Sequence, residues 1–207
     1  MSAPIRVLCV DDHPLIHDGV AYALQSQKDM LLVGQAVDGE EALRLFREQR
    51  PDVTLMDLQM PGMSGIAAIE AIRNDFPRAR IIVLTTYSGD VQAARALKAG
   101  AAGYLLKGML RNDLINTIRT VHAGGRRIPP EIASELAEHI SADALSSREI
   151  EVLRSVATGH SNKLVADELS ITEDTVKGHM KSILSKLGAN DRTHAVLIAI
   201  KRGFLDG

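Results

Sequence analysis

The chain has almost no cysteine, no long apolar run and no excess of charge of either sign. A single cysteine, Cys9, stands among 207 residues. That excludes a disulfide framework and suits a reducing compartment. Cys9 sits in the apolar run Val7-Leu8-Cys9-Val10 and reads as a small buried hydrophobe. No apolar stretch reaches the ~18 residues of a membrane span, and the N-terminus lacks a charged-then-apolar leader pattern. The expectation is a cytoplasmic protein with no membrane partner. Lys and Arg number 24 against 26 Asp and Glu, a formal net charge of −2. No global basic field exists, so any nucleic-acid surface must be local. What is present is 45% apolar and 24% charged, a globular balance, with length for one large or two small domains.

The first 120 or so residues alternate between two periodicities. Ile5–Val10, Leu31–Val37, Val53–Asp57, Ile81–Thr86 and Gly103–Lys107 are short, nearly continuous apolar runs that read as buried strands. Helical patterns separate them. Pro14 suits the first turn of a helix to about Gln27, with Leu15, Ile16, Val20 and Leu24 on its apolar face. Asp38 precedes a second helix to Gln49, Ser64 caps a third to about Asn74, and Gly89-Asp90 opens a fourth carrying Val91, Ala94 and Leu97. A fifth starts near Asn112 and runs to Val121. Strand-helix alternation of this kind predicts a parallel sheet covered on both faces.

In a parallel sheet every carboxyl end points the same way, toward the crevice where ligands bind. Asp11-Asp12, Asp57, Thr85 and Lys107 all stand at such ends. Taken alone, Asp57 before Pro61-Gly62 reads more readily as a helix cap or turn residue. Together the four strand ends describe a pocket. Crowded carboxylates need a cation, and oxygen-only ligands suit Mg²⁺. Lys107 opposite that cation would neutralise a phosphoryl group. Asp57 could then attack a phosphodonor and form an aspartyl-phosphate, with the Thr85 hydroxyl donating to a phosphoryl oxygen.

These residues resemble a known family. Val10-Asp11-Asp12-His13, Met56 through Gly65, Leu84-Thr85 and Gly100 through Lys107 are similar to the receiver domain of two-component response regulators. The resemblance implies a flavodoxin-like α/β fold around a five-stranded parallel sheet over residues 1–123. It implies that Asp57 is phosphorylated by a histidine kinase. Asp11, Asp12, Asp57 and the Gln59 carbonyl would hold Mg²⁺. Thr85 would be the switch hydroxyl, Tyr104 the switch aromatic and Lys107 the phosphoryl contact; Tyr87 stands near the same strand end as a competitor for the switch role. Gly108 departs from the pattern, since many receivers carry proline after the lysine.

Gly124-Gly125-Arg126-Arg127-Ile128-Pro129-Pro130 breaks the composition. Residues 124–144 read as a linker with a connector helix from Pro130 to Ile140. Four helix signals follow in 145–207. Ser146 with Glu149 is a capping box; Ser161 and Thr172 cap the next two helices, and Thr193 starts the fourth. A short helix, a three-residue break and a longer helix describe a helix-turn-helix. On the longer helix Val176, Met180, Ile183 and Leu187 mark the inward face. Thr175, Lys177, Lys181 and Ser182 lie away from it, with His179 and Lys186 flanking. Three lysines on one helix are by themselves an ordinary solvated face.

The order Leu145-Ser146-Ser147-Arg148-Glu149, Gly159-His160-Ser161-Asn162-Lys163, Thr175-Val176-Lys177-Gly178-His179 and Lys186-Leu187-Gly188-Ala189 resembles the LuxR-type helix-turn-helix domain, a small all-α fold. Both domains in this order resemble the NarL/FixJ subfamily. That resemblance implies a transcription regulator, not primarily an enzyme, that binds double-stranded DNA at promoter sites and forms a homodimer on activation. Lys177, Gly178 and Lys181 would face bases; Thr175 and His179 would contact phosphates or pack, and Lys186 would also belong to the DNA-binding set. From residue 141 onward nine Lys/Arg balance nine Asp/Glu, so pairing two domains on two half-sites should matter. Val196 and Ile200 on the fourth helix are candidates for that pairing. Two rivals remain: a magnesium-dependent phosphohydrolase with an aspartate nucleophile, and a regulator that keeps the receiver for dimerisation alone. The first would carry Asp-x-Asp on its first strand, where this chain has adjacent Asp11-Asp12.

Overall fold

The computed structural model describes residues 3–86, 90–130, 132–134 and 145–205. The chain forms two compact units, one of Met1–Ser88 with Ala93–Ala133 and one of Gly89–Gln92 with Ser134–Gly207. The Tyr87 expectation and most of the connector helix fall outside the described residues; residues 130 and 132–134 are helical.

In the first unit β1 (Ile5–Val10), β2 (Met30–Ala36), β3 (Val53–Asp57), β4 (Ile81–Thr85) and β5 (Gly103–Leu106) form one sheet in the order β2-β1-β3-β4-β5. All four pairings are parallel. Helices α1 (Pro14–Gln25), α2 (Gly39–Gln49), α3 (Gly65–Asp75), α4 (Asp90–Ala99) and α5 (Leu110–His122) connect the strands. The order reverses between β1 and β3, which opens a crevice at their carboxyl ends.

Alternation along the strands sorts the core. Val7 and Cys9, Val53 and Leu55, Ile82 and Leu84, and Leu105 pack with Val20, Leu24, Leu114, Ile118 and Val121 of α1 and α5. The strands' other face carries Leu8, Val10, Met56, Val83 and Tyr104, all buried.

Two helices are turned from their expected faces. α1 buries His17, Val20 and Leu24, and Leu15 is 80% exposed. Residues two apart on a helix lie ~200° apart, so burying His17 swings Leu15 outward. On α4 Ala93 and Ala96 are buried and Ala94 is exposed. Alanine stands on every side of that helix, so its periodicity could not orient it.

The β3–α3 connection is tight. Ser64 caps α3 by accepting from Ala67 N–H, and Gly65 N–H donates to the Leu58 carbonyl at 3.1 Å. A Cβ on Gly65 would lie 1.8 Å from the Asp57 carbonyl oxygen. Glycine lets α3 start directly beneath the end of β3.

After a turn at Ala123 and Gly124 the chain returns to the sheet. Arg127 forms a one-residue parallel bridge with Gly103. Tyr104 N–H donates to the Arg127 carbonyl at 2.8 Å, and Arg127 N–H donates to Ala102 at 3.2 Å. β5 is an edge strand with unpaired backbone groups, and this segment fills part of that edge.

The second unit contains α6 (Ser147–Ala157), α7 (Asn162–Leu169), α8 (Glu173–Leu187) and α9 (Arg192–Arg202). Ser146, Ser161 and Thr172 each accept an N-cap hydrogen bond, and both bonds of the Ser146–Glu149 capping box are present. α9 starts one residue before the expected Thr193, capped by Asp191, which accepts from His194 N–H. Val152, Leu153, Val165, Val176, Ile183, Ala195 and Ala199 form the core. Ser155, His160 and Glu168 bond one another and tie α6 to α7.

Buried Glu149 joins α6 to α8. It accepts from Ser146 N–H at 2.7 Å, Ser182 Oγ at 2.6 Å and Lys186 Nζ at 2.9 Å. Burial pushes its carboxyl up, but those bonds, Ser182 foremost, bring it down from 4.5 to about 2.

Two outcomes are expected. Gly65→Ala should destabilise the protein by about 3 kcal/mol, since backbone must move to admit the methyl, measured by denaturant unfolding. Glu149→Gln should cost about 2 kcal/mol at neutral pH by removing a charged acceptor. A depressed folded-state pKa gives stability that is full above the unfolded value. The gap between the two proteins in unfolding experiments should therefore close as pH falls from 4.5 to about 2.

Candidate acidic site and nucleic-acid interface

The core pattern places the acidic site. Asp11 follows Cys9 by two residues, Asp57 follows Leu55 and Lys107 follows Leu105, so all three continue the face that packs on α1 and α5. Each is the first polar group of its row, at the crevice between β1 and β3. Lys107 Nζ lies 2.8 Å from Asp57 Oδ2 and 2.8 Å from Asp11 Oδ2. It makes an aligned hydrogen bond to Asp57; the Asp11 contact is a charge contact without that alignment, since Asp11 Oδ2 accepts no hydrogen bond. Gln59 N–H donates to Asp57 Oδ1 at 3.3 Å, and His13 N–H donates to Asp11 Oδ1 at 3.0 Å. His13 Nδ1 stands 2.7 Å from Asp12 Oδ1.

Burial raises the Asp57 carboxyl above its ordinary value; Lys107 opposes this and Asp11 reinforces it. Lys107 is drawn down by burial, but its close contacts with the Asp11 and Asp57 carboxylates hold it above its usual value. The two shifts differ in what they say of the pair. Two buried carboxylates share one ammonium, so the lysine is oversupplied with anions and each anion is undersupplied with cations. Cys9, two residues from Asp11, is pushed up to about 12, chiefly by burial. Its thiol is an inert core group, as its apolar run implies.

The donor set fits a divalent cation. Oxygens of Asp11, Asp12 and Asp57 and a nitrogen of His13 lie within 4.8 Å of one another. Asp12 Oδ1 and Asp11 Oδ2 are buried without an aligned hydrogen bond. Three carboxylates against one ammonium leave two negative charges at one crevice, a deficit that a hard dication matches.

Thr85 and Tyr104 occupy the sheet's other face. Thr85 pairs with Leu106 and Tyr104 with Val83, so the two are diagonal neighbours on one face. Both are buried. After β5 the chain turns through a 3₁₀ segment, Lys107–Met109, with Gly108 at its centre.

On α8, Val176, Met180, Ile183 and Leu187 are buried as expected, while Thr175, Lys177, Gly178 and Lys181 are exposed and His179 is half-buried. Lys177 is paired with Asp174 at 2.8 Å on the surface, a contact worth little in water. Space around Gly178 is open. Lys186 and Ser182 turn inward to Glu149, which separates Lys186 from the exposed row. On α9, Val196 and Ile200 are half-buried, and Leu197, which the apolar pattern passed over, is 61% exposed. His17 also went unread: its Nε2 lies 2.6 Å from the Asp11 carbonyl oxygen. The available signal was a polar residue at the buried step of the 17-20-24 spacing.

Among the described residues no helix is long and apolar enough to cross a membrane. Residues 7–119 match the family model for the response regulator receiver domain, and residues 143–199 match that for bacterial regulatory proteins of the luxR family. The response regulator GacA of Pseudomonas aeruginosa is 37% identical over 98% of this chain and 98% of its own. The response regulator protein VraR of Staphylococcus aureus is 36% identical over 97% of this chain and 99% of its own. Among solved structures, RcsB of Salmonella enterica serovar Typhimurium, bound to a promoter with phosphomimetic BeF3−, is 27% identical. It aligns over 94% of this chain and 97% of its own with a TM-score of 0.74. With a receiver in its first half and a luxR-type helix-turn-helix in its second, the chain belongs to the NarL/FixJ family of two-component response regulators.

Proposed function

We propose that the chain is a cytoplasmic, phosphorylation-dependent transcription regulator whose receiver, residues 1–123, takes phosphate on Asp57 from a sensor histidine kinase. Residues 124–144 link it to a DNA-binding domain at 145–207. The observation that carries this reading is the convergence of Asp11, Asp57 and Lys107 on one crevice, with Lys107 Nζ 2.8 Å from each carboxylate. One Asp57 oxygen attacks the donor's phosphorus. An O–P bond forms as the donor's P–N bond breaks, and the electron pair leaves on the imidazole nitrogen. Asp11, Asp12, Asp57 and the Gln59 carbonyl would hold Mg²⁺, which would supply positive charge beside the transferring group. Lys107 gives up its share of Asp57 to meet a phosphoryl oxygen, and Gln59 N–H keeps the carboxylate oriented.

Phosphate then draws the Thr85 hydroxyl inward. Tyr104, its diagonal neighbour on the same face, responds to the vacated space. The activated protein pairs as a homodimer on two DNA half-sites, with Leu197 of α9 the exposed apolar candidate for that contact. Exposed Lys177 and Lys181 contact the duplex with Thr175, Gly178 and His179 at its groove. Lys186 stays on Glu149. Hydrolysis of the acyl phosphate is slow self-dephosphorylation, so the chemistry times a signal rather than turning over a substrate. The hydrolase alternative has its nucleophile on the first strand, whereas Asp57 ends the central strand β3.

Incubation with a small phosphodonor and Mg²⁺ should add one hydroxylamine-labile phosphate, seen as an intact-mass shift, and Asp57→Asn should abolish it. Persistence of the shift in the Asn variant would refute the site. Lys181→Ala should weaken promoter DNA binding by about 1–3 kcal/mol and relax the sequence preference, as one base contact is lost. Unchanged affinity and preference in titrations with promoter and scrambled duplexes would remove Lys181 from the interface.

A further inference from the structure

His17 is buried on α1, where an apolar side chain would satisfy the same packing face. Its Nε2 lies 2.6 Å from the main-chain carbonyl oxygen of Asp11. A carbonyl can only accept, so Nε2 carries the proton. Nδ1 is buried and has no hydrogen-bond partner. Leaving such a group unpaired is costly. Packing does not account for a ring that leaves one nitrogen unmet; the bond made by the other nitrogen does.

That bond acts on the peptide joining Asp11 to Asp12. Asp11 N–H donates to the Ala36 carbonyl at 3.0 Å, which fixes the near side of the residue to β2. His17 fixes the far side, since the carbonyl it holds belongs to the Asp11–Asp12 peptide plane. Rotation of that plane would carry Asp12 and His13 away from Asp57. His13 N–H in turn holds Asp11 Oδ1 at 3.0 Å, so the same rotation would release the Asp11 carboxylate. Both acidic groups at the crevice hang from a peptide whose orientation His17 sets.

We propose that His17 is a positioning residue for the divalent-cation site: through Nε2 it locks the Asp11–Asp12 peptide so that both carboxylates face Asp57. This rests on the reading of that cluster as a Mg²⁺ site. Residues that orient metal ligands without touching the metal typically contribute ~10-fold or more in metal affinity.

The amide nitrogen of Gln reaches about as far as Nε2 of histidine, whereas that of Asn reaches only as far as Nδ1. Mg²⁺ titrated calorimetrically into the full chain should bind H17N and H17L about tenfold more weakly than the unsubstituted protein, and H17Q within about threefold of it. Thermal unfolding without Mg²⁺, run in parallel, should not follow that order. A packing role would lower the unfolding midpoint and leave the cation affinity of the folded protein unchanged. Equal affinity of H17N and the unsubstituted protein, or H17Q as weak as H17N, overturns the inference and leaves the Mg²⁺ site standing. If H17L does not fold, the Gln and Asn pair decides alone. Failure of the unsubstituted chain to bind Mg²⁺ overturns the site and this inference together.

Discussion

One ammonium group shared by two buried carboxylates organises the receiver. Lys107 Nζ sits between Asp11 and Asp57, and neither acid is exposed enough to be relaxed by water. The lysine is too little charge for its neighbours, so the site is left with a standing demand for a cation. It is equally left with a donor that can change partners. Much of the first unit serves to hold this imbalance. β1, β3 and β5 bring the three groups to one level, Gly65 lets α3 begin against Asp57, and Gln59 and His13 direct main-chain N–H groups at the two carboxylates.

The sheet separates two tasks by face. Asp11, Asp57 and Lys107 extend the rows of Cys9, Leu55 and Leu105 toward α1 and α5, while Thr85 and Tyr104 extend the opposite rows. A parallel strand alternates faces residue by residue. The acid cluster is therefore assembled on one side, and buried Thr85 and Tyr104 stand on the other. The second unit repeats the tactic of a buried acid with several donors. Glu149 is fully satisfied by Ser146, Ser182 and Lys186. It fixes the angle of α8, where an unsatisfied acid would have invited a ligand.

The strands were legible because buried parallel strands are continuous apolar runs, and Val53–Asp57 stands as expected. The strand-end polar groups were legible for the same reason: each interrupts such a run. The faces of α1 and α4 were not. Leu15 is apolar and exposed, His17 is polar and buried, and α4 has alanine on every side. In both helices the tertiary partner, not the hydropathy pattern, set the rotation. Lys186 stood with the surface lysines in the pattern because its acceptor Glu149 is 37 residues away. The last helix starts at Arg192, one residue before Thr193, because Asp191 caps its first turn.

The bridge between Arg127 and Gly103 gives the chain's exit from the receiver a fixed address. Its two hydrogen bonds run main chain to main chain, to Ala102 and to Tyr104, so the arginine side chain is not needed to keep it. Pro129 and Pro130 have no N–H to extend the pairing, which confines it to a single rung. The outgoing segment is thus fastened to the strand that bears Tyr104, three residues ahead of Lys107. A lengthwise slip of β5 would pull on the tether as a rope pulls on its cleat, whereas a change of side chain at the edge would leave the hitch intact.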